Sequence, residues 1–414
     1  HKFTTYVELF HKINNFTCFA GLLNLWSDDL RVPRITNKPY YKLFFKFITC
    51  SVFVLMMLEI AAFYKRDKLN LKQLCDWIVL ALSHPILYGF FLSVHYYKRI
   101  LKELLLSLTV QLKNVYNDPK VERSMIRQAT FYVTAYLLLC GLTLALYGID
   151  SLIQVIRLGK TFTTVITVWP DVEEKSCLAT FVRIAYYVAW WFLISRSSTA
   201  YIMAIATTIC LSHQFKNLQT YFYGLNDIFE EEDLTQVQKE EKYEKAFKVG
   251  IKLHSDTLWC CRQCQMVFNL VYSGQVIINL MGLAILMLQM VNSERTMVNA
   301  AAIVTTAAAL LVTTGVFMWN AGDVAVEASV DSHTSFPILF GVAAIYFEVS
   351  YILLVKFRLY LTYHTRWFAK QFLFNFDFVN FFSQFSCLLY NFIIPSSLGH
   401  KKVHEYQIST HLEQ

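Results

Sequence analysis

Six long, mostly apolar stretches, each at least close to the length of a membrane-spanning helix, limit what this chain can fold into. A helix of about 20 residues crosses a hydrocarbon core of roughly 30 Å and satisfies its own backbone hydrogen bonds there. We therefore predict six spanning helices. They cover about residues 47–64, 74–97, 131–148, 184–211, 266–291 and 298–319.

The composition agrees with a membrane protein. Of the 414 residues, 56% are hydrophobic and 16% are charged, and the mean hydropathy is +0.40, whereas about 25% of the residues in a soluble domain are charged. A weaker apolar run over residues 337–355 is a seventh candidate span. The expected fold is an all-α membrane protein with about seven transmembrane helices.

The longest polar segment, residues 212–262, separates the fourth stretch from the fifth. Its second half carries an apolar face at helical spacing. After the sixth stretch, acidic residues recur every four positions and so share one helix face. We expect both faces to lie on helices that extend into a cytoplasmic assembly domain. The candidate assembly residues are Tyr243, Phe247, Ile251, His254 and Leu258 on the first face, and Asp323, Glu327 and Asp331 on the second.

The distribution of positive charge predicts the orientation. The N-terminal segment and the segments after the second and fourth spans together hold 21 Lys and Arg residues, whereas the alternate segments hold 8 besides Arg183, which adjoins the fourth span. By the positive-inside rule the first group is cytoplasmic. The N-terminus is then cytoplasmic, and the glycosylation sequon at Asn15 would stay unmodified in the cytosol.

This layout and two local motifs resemble the insect odorant receptors over about residues 1–336. The motifs are VGIKLHSDTLWCCRQCQMVFN before the fifth span, with His254 and Leu258 at the positions where the family has a His and a Leu, and FMWNAGDVAVEASVDS after the sixth. The resemblance implies a multi-pass plasma-membrane protein of sensory neurons. It also implies a subunit of an odorant-gated, non-selective cation channel, assembled as a heterotetramer with a shared co-receptor.

Residues 337–414 depart from the family pattern. The family continues with a polar helix before a final, pore-lining span, but here an apolar run begins at once. The tail after it carries six Lys and Arg residues, which an odd number of spans would place outside. Either the chain re-enters the membrane through residues 372–388, or the sequence from about 337 derives from an alternative or mispredicted exon. We favour the second interpretation, under which conduction through this chain's own pore segment is in question.

An odorant is small and apolar, so its site needs aromatic and aliphatic walls with one or two polar groups. The resemblance places that site among spans 2, 3, 4 and 6, towards the outer leaflet. Aromatic side chains at this depth can instead be packing or interfacial residues, and a threonine hydroxyl can bond back to its own helix. Tyr147 and Trp190 are the strongest candidates. The full set is Ile78, His84, Tyr88, Thr143, Tyr147, Tyr187, Trp190, Trp191, Thr305 and Thr306.

Charged residues within spans are costly and are functional candidates by default. Here they are Glu59, Asp76, Arg183, Arg196 and Glu348. We expect Asp76 and Arg183, near span ends, to reach water. The deeper Arg196 is a candidate to pair with a buried carboxylate or with helix carbonyls.

Other classes of function have weaker support. The sequence has no phosphate-binding glycine loop, no HExxH motif and no nucleophile–base arrangement, so we expect no enzyme. The cysteines at 260, 261 and 264 lack a second ligand pair for a metal, and we expect no metal, cofactor or nucleic acid. The expected partners are an odorant, the co-receptor and membrane lipid. The alternatives are a gustatory-type channel, a G-protein-coupled receptor, which the charge distribution opposes, and a secondary transporter, for which inverted repeats are missing.

Overall fold

The computed structural model describes residues 5–20, 38–292 and 297–330, and these ranges contain helices and connecting segments but no strand. They all lie in the first of two compact units, His1–Glu348. The predicted seventh span at 337–355 and the rest of segment 337–414 lie outside the described residues. The helices are α1 (Thr5–Phe19), α2 (Pro39–Ala61), α3 (Leu71–Tyr96), α4 (Lys98–Leu106), α5 (Leu112–Val115), α6 (Pro119–Leu158), α7 (Cys177–Gly224), α8 (Asp227–Glu230), α9 (Gln236–Asn292) and α10 (Met297–Val330).

Six helices of the described part are long and apolar enough to cross a membrane, namely α2, α3, α6, α7, α9 and α10. Each predicted apolar stretch falls on one of them, except that the first runs three residues past the end of α2 and the second runs one residue past the end of α3. The prediction of a multi-pass, all-α membrane protein is therefore confirmed. The cytoplasmic location of the N-terminus stays a prediction.

Local sequence signals set where the long helices begin and end. Asn70 caps α3 reciprocally with Gln73: the Gln73 amide donates to Asn70 Oδ1 over 2.9 Å, and the Asn70 amide donates to Gln73 Oε1 over 3.0 Å. Asp118 caps α6 ahead of Pro119, and Gly159 ends that helix at φ 60°, a conformation that favours glycine.

Helices α7 and α9 are too long for a bilayer alone. They have 48 and 57 residues, which correspond to roughly 70 and 85 Å at 1.5 Å per residue, against a hydrocarbon core of about 30 Å. Both continue past the predicted spans into the polar segment 212–262. Beside this extension, α4 buries Leu101, Leu104 and Leu105. The lengths of α7 and α9 support the prediction that helices extend beyond the membrane.

At the end of the bundle opposite the extension of α7 and α9, the connection between α6 and α7 (residues 159–176) folds back over the helices. We call this end of the bundle the loop end. The Val168 amide donates to the Leu58 carbonyl at 3.0 Å, and the Thr163 amide donates to Ser151 Oγ at 2.7 Å. Val165 is buried in the core between α2, α3, α6 and α7. The loop is thus part of the packed structure.

Candidate functional site

An aromatic and aliphatic cluster around Trp190 forms the wall of the candidate site. Trp190 is buried and packs with Leu80, Leu144 and Leu193. The Tyr147 ring meets it edge-on, with the two centroids 5.6 Å apart. These residues come from three different helices, α3, α6 and α7, so the wall exists only in the folded bundle.

Beside this wall lies a cavity of about 160 Å³, lined by five helices: α3, α6, α7, α9 and α10. Most of its lining is aliphatic or aromatic, and no Asp, Glu, Lys or Arg is among the described residues that line it. We call it the inner cavity. An engineered cavity of about 150 Å³ in another protein holds benzene, so the inner cavity has the size for a ligand with one small ring.

Five of the ten predicted ligand-binding residues line the inner cavity. They are His84, Thr143, Tyr147, Trp190 and Thr306, and they come from all four spans named in the prediction. Their contact with a ligand stays a prediction.

The other five predicted residues do not line the inner cavity. Tyr88, Tyr187 and Trp191 pack against the core cluster around Trp190, and the Tyr187 hydroxyl donates to the Leu144 carbonyl at 2.9 Å. These three side chains therefore act as packing residues, which is the alternative to ligand binding given above for aromatic side chains within spans. Ile78 and Thr305 are half-buried on α3 and α10, away from the lining.

The sequence reasoning missed the contribution of α9. This helix supplies Gln275, Ile278, Met281, Gly282 and Ile285 to the lining, although the fifth span was left out of the expected site. Gln275 carried a usable signal, because a buried amide within a lipid-spanning helix needs hydrogen-bond partners. It has two: it accepts from the Tyr201 hydroxyl and donates to Thr314 Oγ1 at 3.0 Å.

The polar atoms of the inner cavity are few and buried. His84 Nδ1 lies 2.7 Å from Oε2 and 3.0 Å from Oε1 of Glu59, and each of these two side chains is 1% exposed. His84 Nε2, Thr143 Oγ1 and Trp190 Nε1 are buried with no hydrogen-bond partner. The expected bond from the Thr143 hydroxyl back to its own helix is not formed.

A second, larger cavity of about 690 Å³ lies at the loop end, and we call it the vestibule. Its walls carry charged and polar groups beside apolar ones: Lys72 and Asp150 form an ion pair at 3.1 Å, and Asp76, also in the wall, accepts from Gln289 at 2.7 Å. Tyr147 lines both the vestibule and the inner cavity. Its ring therefore stands at the boundary between a polar and an apolar compartment.

The charged residues predicted within spans have specific surroundings. Asp76 lines the vestibule, as expected for a group that reaches water. Arg183 was expected to reach water as well, but it is buried, because the folded-back loop covers it and its guanidinium donates to the Asp171 carbonyl. The Arg196 guanidinium donates to the Phe45 carbonyl at 3.2 Å and lies over the Phe45 ring, 4.7 Å from its centroid. Of the two predicted kinds of partner, the structure thus shows a helix carbonyl. Glu348 lies outside the described residues.

An exposed ion pair ties the loop to the end of α2. Lys65 Nζ lies 2.6 Å from Asp171 Oδ1. The hydrogen bond from Lys65 lowers the pKa of the Asp171 carboxyl below its ordinary value, because it stabilises the charged form.

The predicted assembly residues lie on the extension of α9 and on α10. Tyr243 and Phe247 stack with centroids 5.8 Å apart, Ile251 is exposed, and His254 and Leu258 are half-buried. The most buried face of this part of α9 is a neighbouring one, formed by Leu253, Thr257, Cys260 and Cys264. Asp323 is half-buried on α10, Glu327 lies on the same helix, and Asp331 lies outside the described residues. Their role in assembly stays a prediction.

Comparison with known proteins identifies the fold. No protein-family model matches the chain, and a search of curated proteins gives no match. Among solved structures, the chain is similar to the insect olfactory receptor OR5 from Machilis hrabei, with a TM-score of 0.60 at 12% identity over 82% of this chain and 86% of that one. The same receptor in complex with eugenol gives a TM-score of 0.59 at 12% identity, over 84% and 99%. The chain thus has an insect olfactory receptor fold, which confirms the resemblance at the level of the fold.

Proposed function

We propose that this chain is an odorant receptor subunit that binds a small volatile in the inner cavity and gates a non-selective cation channel with a shared co-receptor. It acts in the plasma membrane of sensory neurons with its N-terminus in the cytosol. The observation that carries the proposal is a largely apolar cavity of about 160 Å³ within a bundle of olfactory receptor fold. The solved complex of a structural neighbour with eugenol supports a small volatile as the ligand class.

The inner cavity suits such a ligand energetically. Removing apolar surface from water contributes roughly 25 cal/mol per Å², so an aliphatic and aromatic wall binds a compact apolar molecule without needing charged contacts. Trp190 and Tyr147 provide rigid rings, which lose little conformational freedom when a ligand binds. The proposed function requires no catalytic step, cofactor or metal.

Gating requires that the ligand bind the open and closed arrangements with different affinity. The inner cavity is lined by α7 and α9, which are also the helices that extend beyond the membrane into the predicted assembly region. A ligand that changes the packing between these helices can therefore bias the arrangement of the extension. This links the cavity to the proposed channel assembly.

The test is current recording from cells that express this chain with and without the co-receptor, under a panel of volatiles. We expect odorant-evoked cation currents only with both subunits. Currents from neither combination, although the chain reaches the cell surface, would contradict the channel proposal.

A matched pair of variants tests the site. Trp190 lines the inner cavity, whereas the adjacent Trp191 packs outside it. We expect Trp190→Phe to change the odorant concentration for half-maximal current by about tenfold, since a misfitted ring loses on the order of 1 kcal/mol of contact. Trp191→Phe should leave it within about twofold. Equal effects of the two substitutions would remove the inner cavity from the proposal.

A further inference from the structure

The pair formed by His84 and Glu59 is placed to recognise a polar group on a ligand in the inner cavity. His84 lines the cavity, whereas Glu59 does not. The imidazole therefore stands between the carboxylate and the cavity, with Nδ1 bonded to the carboxylate at 2.7 Å. Its second nitrogen, Nε2, is buried and has no partner. A buried polar atom without a partner is costly unless something else satisfies it.

The protonation state of Nε2 follows from counting charges. A buried pair with a net charge is strongly disfavoured in a low-dielectric site, and none of the described lining residues is an Asp, Glu, Lys or Arg that could compensate one. Three states of the pair are neutral overall. In two of them, an ionised Glu59 with a doubly protonated His84 and a protonated Glu59 that donates to Nδ1 of a neutral His84, a hydrogen lies on Nε2. In the third, Nδ1–H donates to the protonated carboxyl, and the carboxyl hydrogen then has no acceptor among the contacts that the described residues make with the Glu59 side chain, which makes this state the costlier one. The neutral pair therefore offers an N–H donor.

A second donor lies nearby. Trp190 Nε1 can only donate; it is buried without a partner, and its side chain also lines the inner cavity. The centroids of the His84 and Trp190 rings are 6.0 Å apart. Neither donor can satisfy the other, so both are complementary to an acceptor atom supplied from outside.

We propose that the inner cavity selects small apolar ligands that carry one hydrogen-bond-accepting oxygen, such as a ketone, aldehyde or ester, and that His84 Nε2–H, held by Glu59, is the donor that recognises this oxygen. This inference rests on the proposed function, because it names the ligand class of the same cavity. Glu59 does not line the cavity and acts by holding the His84 ring, so it is a positioning residue.

The experiment measures direct binding of two probes of the same shape to the purified full chain in lipid nanodiscs. Acetophenone carries a carbonyl, and α-methylstyrene replaces that carbonyl with a methylene group. The measured quantity is the ratio of the two affinities in wild type and in the double variant Glu59→Leu/His84→Phe. Replacing both partners leaves no orphaned buried charge. Because the ratio is compared between proteins, the different hydration of the two probes cancels.

We expect the double variant to lose the carbonyl preference, measured as the ratio of the two affinities, by about three- to tenfold, as for one buried hydrogen bond. An unchanged ratio would overturn the inference. It would also be overturned if wild-type protein bound phenol through the phenol hydroxyl but bound acetophenone no better than α-methylstyrene, because Nε2 would then be a hydrogen-bond acceptor. Failure of both probes to bind a wild-type chain that other volatiles gate would overturn it as well.

A second measurement needs no variant. The carbonyl stretch of isotope-labelled acetophenone bound to wild type should lie at lower frequency than in a hydrocarbon solvent, because a hydrogen bond weakens the carbonyl bond; an unshifted band would contradict the donor. Binding in nanodiscs is independent of current. Probe binding with the predicted ratio but no odorant-evoked current would leave the donor in place and reject only the channel function.

Discussion

The close approach of α3 and α9 at Gly274 leads to a quantitative prediction about the bundle that encloses the inner cavity. A methyl group added at Gly274 would lie 2.4 Å from Cε1 and 2.7 Å from Cζ of Phe90, and 3.2 Å from Cγ2 of Ile86. Phe90 is fully buried and has little room to move. Gly89, also within a spanning helix, has no atom within 4 Å of the same added group. These two glycines form a matched pair.

The expected effects have opposite signs. In an open position, Gly→Ala stabilises a helix by about 0.5–1 kcal/mol, because the unfolded chain loses freedom. At Gly274 the same gain is outweighed by overpacking, which costs typically 1–3 kcal/mol. We expect Gly89→Ala to be neutral or stabilising and Gly274→Ala to be destabilising, with a difference between the two variants of roughly 1–3 kcal/mol.

The assay is thermal unfolding of the purified chain in detergent, followed by intrinsic fluorescence. For chains of 150–250 residues, 1 kcal/mol corresponds to about 2–4 °C, so for this longer chain the two variants should differ by a few degrees, with Gly274→Ala lower. A Gly274→Ala protein as stable as Gly89→Ala would refute the close packing of α3 against α9, and with it the shape of the inner cavity.

Three further predictions follow from particular residues. Thr306→Val should shift the odorant concentration that gives half-maximal current by severalfold, whereas Thr305→Val should not, because only Thr306 lines the inner cavity. Equal shifts for the two variants would contradict the inner cavity as the binding site. The lowered pKa of Asp171 means that its ion pair with Lys65 stabilises the fold above the carboxyl's ordinary pKa and stops doing so as the pH falls through the lowered value. Asp171→Asn should therefore lower the free energy of unfolding at pH 7 by under about 1 kcal/mol, given the exposure of the pair, and the effect should shrink as the pH falls and the carboxyl is protonated; an effect that does not depend on pH would contradict the assignment. Asn15 should carry no glycan in mass spectrometry of protein from eukaryotic cells, and a glycan there would reverse the predicted orientation.

The spanning helices could be predicted because hydropathy is a local property. Each apolar stretch is long enough to cross a bilayer by itself, so no knowledge of its neighbours was needed. The caps at Asn70 and Asp118 are local in the same sense, because each cap bonds a backbone amide two or three residues further along the chain.

Which residues of a spanning helix point into the bundle could not be predicted in the same way. Trp190 and Trp191 are adjacent and differ by about 100° around the helix axis, and a helix that is apolar on all sides carries no periodic signal to show which of them faces inward. The same holds for Thr305 and Thr306. Only packing against α3, α6, α9 and α10 decides these pairs.

The pairing of Glu59 with His84 depends on two helices meeting at one depth. Glu59 was singled out as a charge within a span and His84 as a ligand-binding candidate, but their positions in sequence do not predict the contact. The burial of Arg183 has a similar origin. It depends on the return of residues 159–176 over the bundle, and Val165 enters the core as an apolar side chain within a loop.

The location of a bound odorant tests the central claim most directly. A structure determined by electron cryo-microscopy, with an odorant that evokes currents, should show ligand density among α3, α6, α7, α9 and α10, in contact with Trp190 and within hydrogen-bond distance of His84 Nε2. Density confined to the vestibule or to a lipid-facing surface, with the inner cavity empty, would contradict the proposed site.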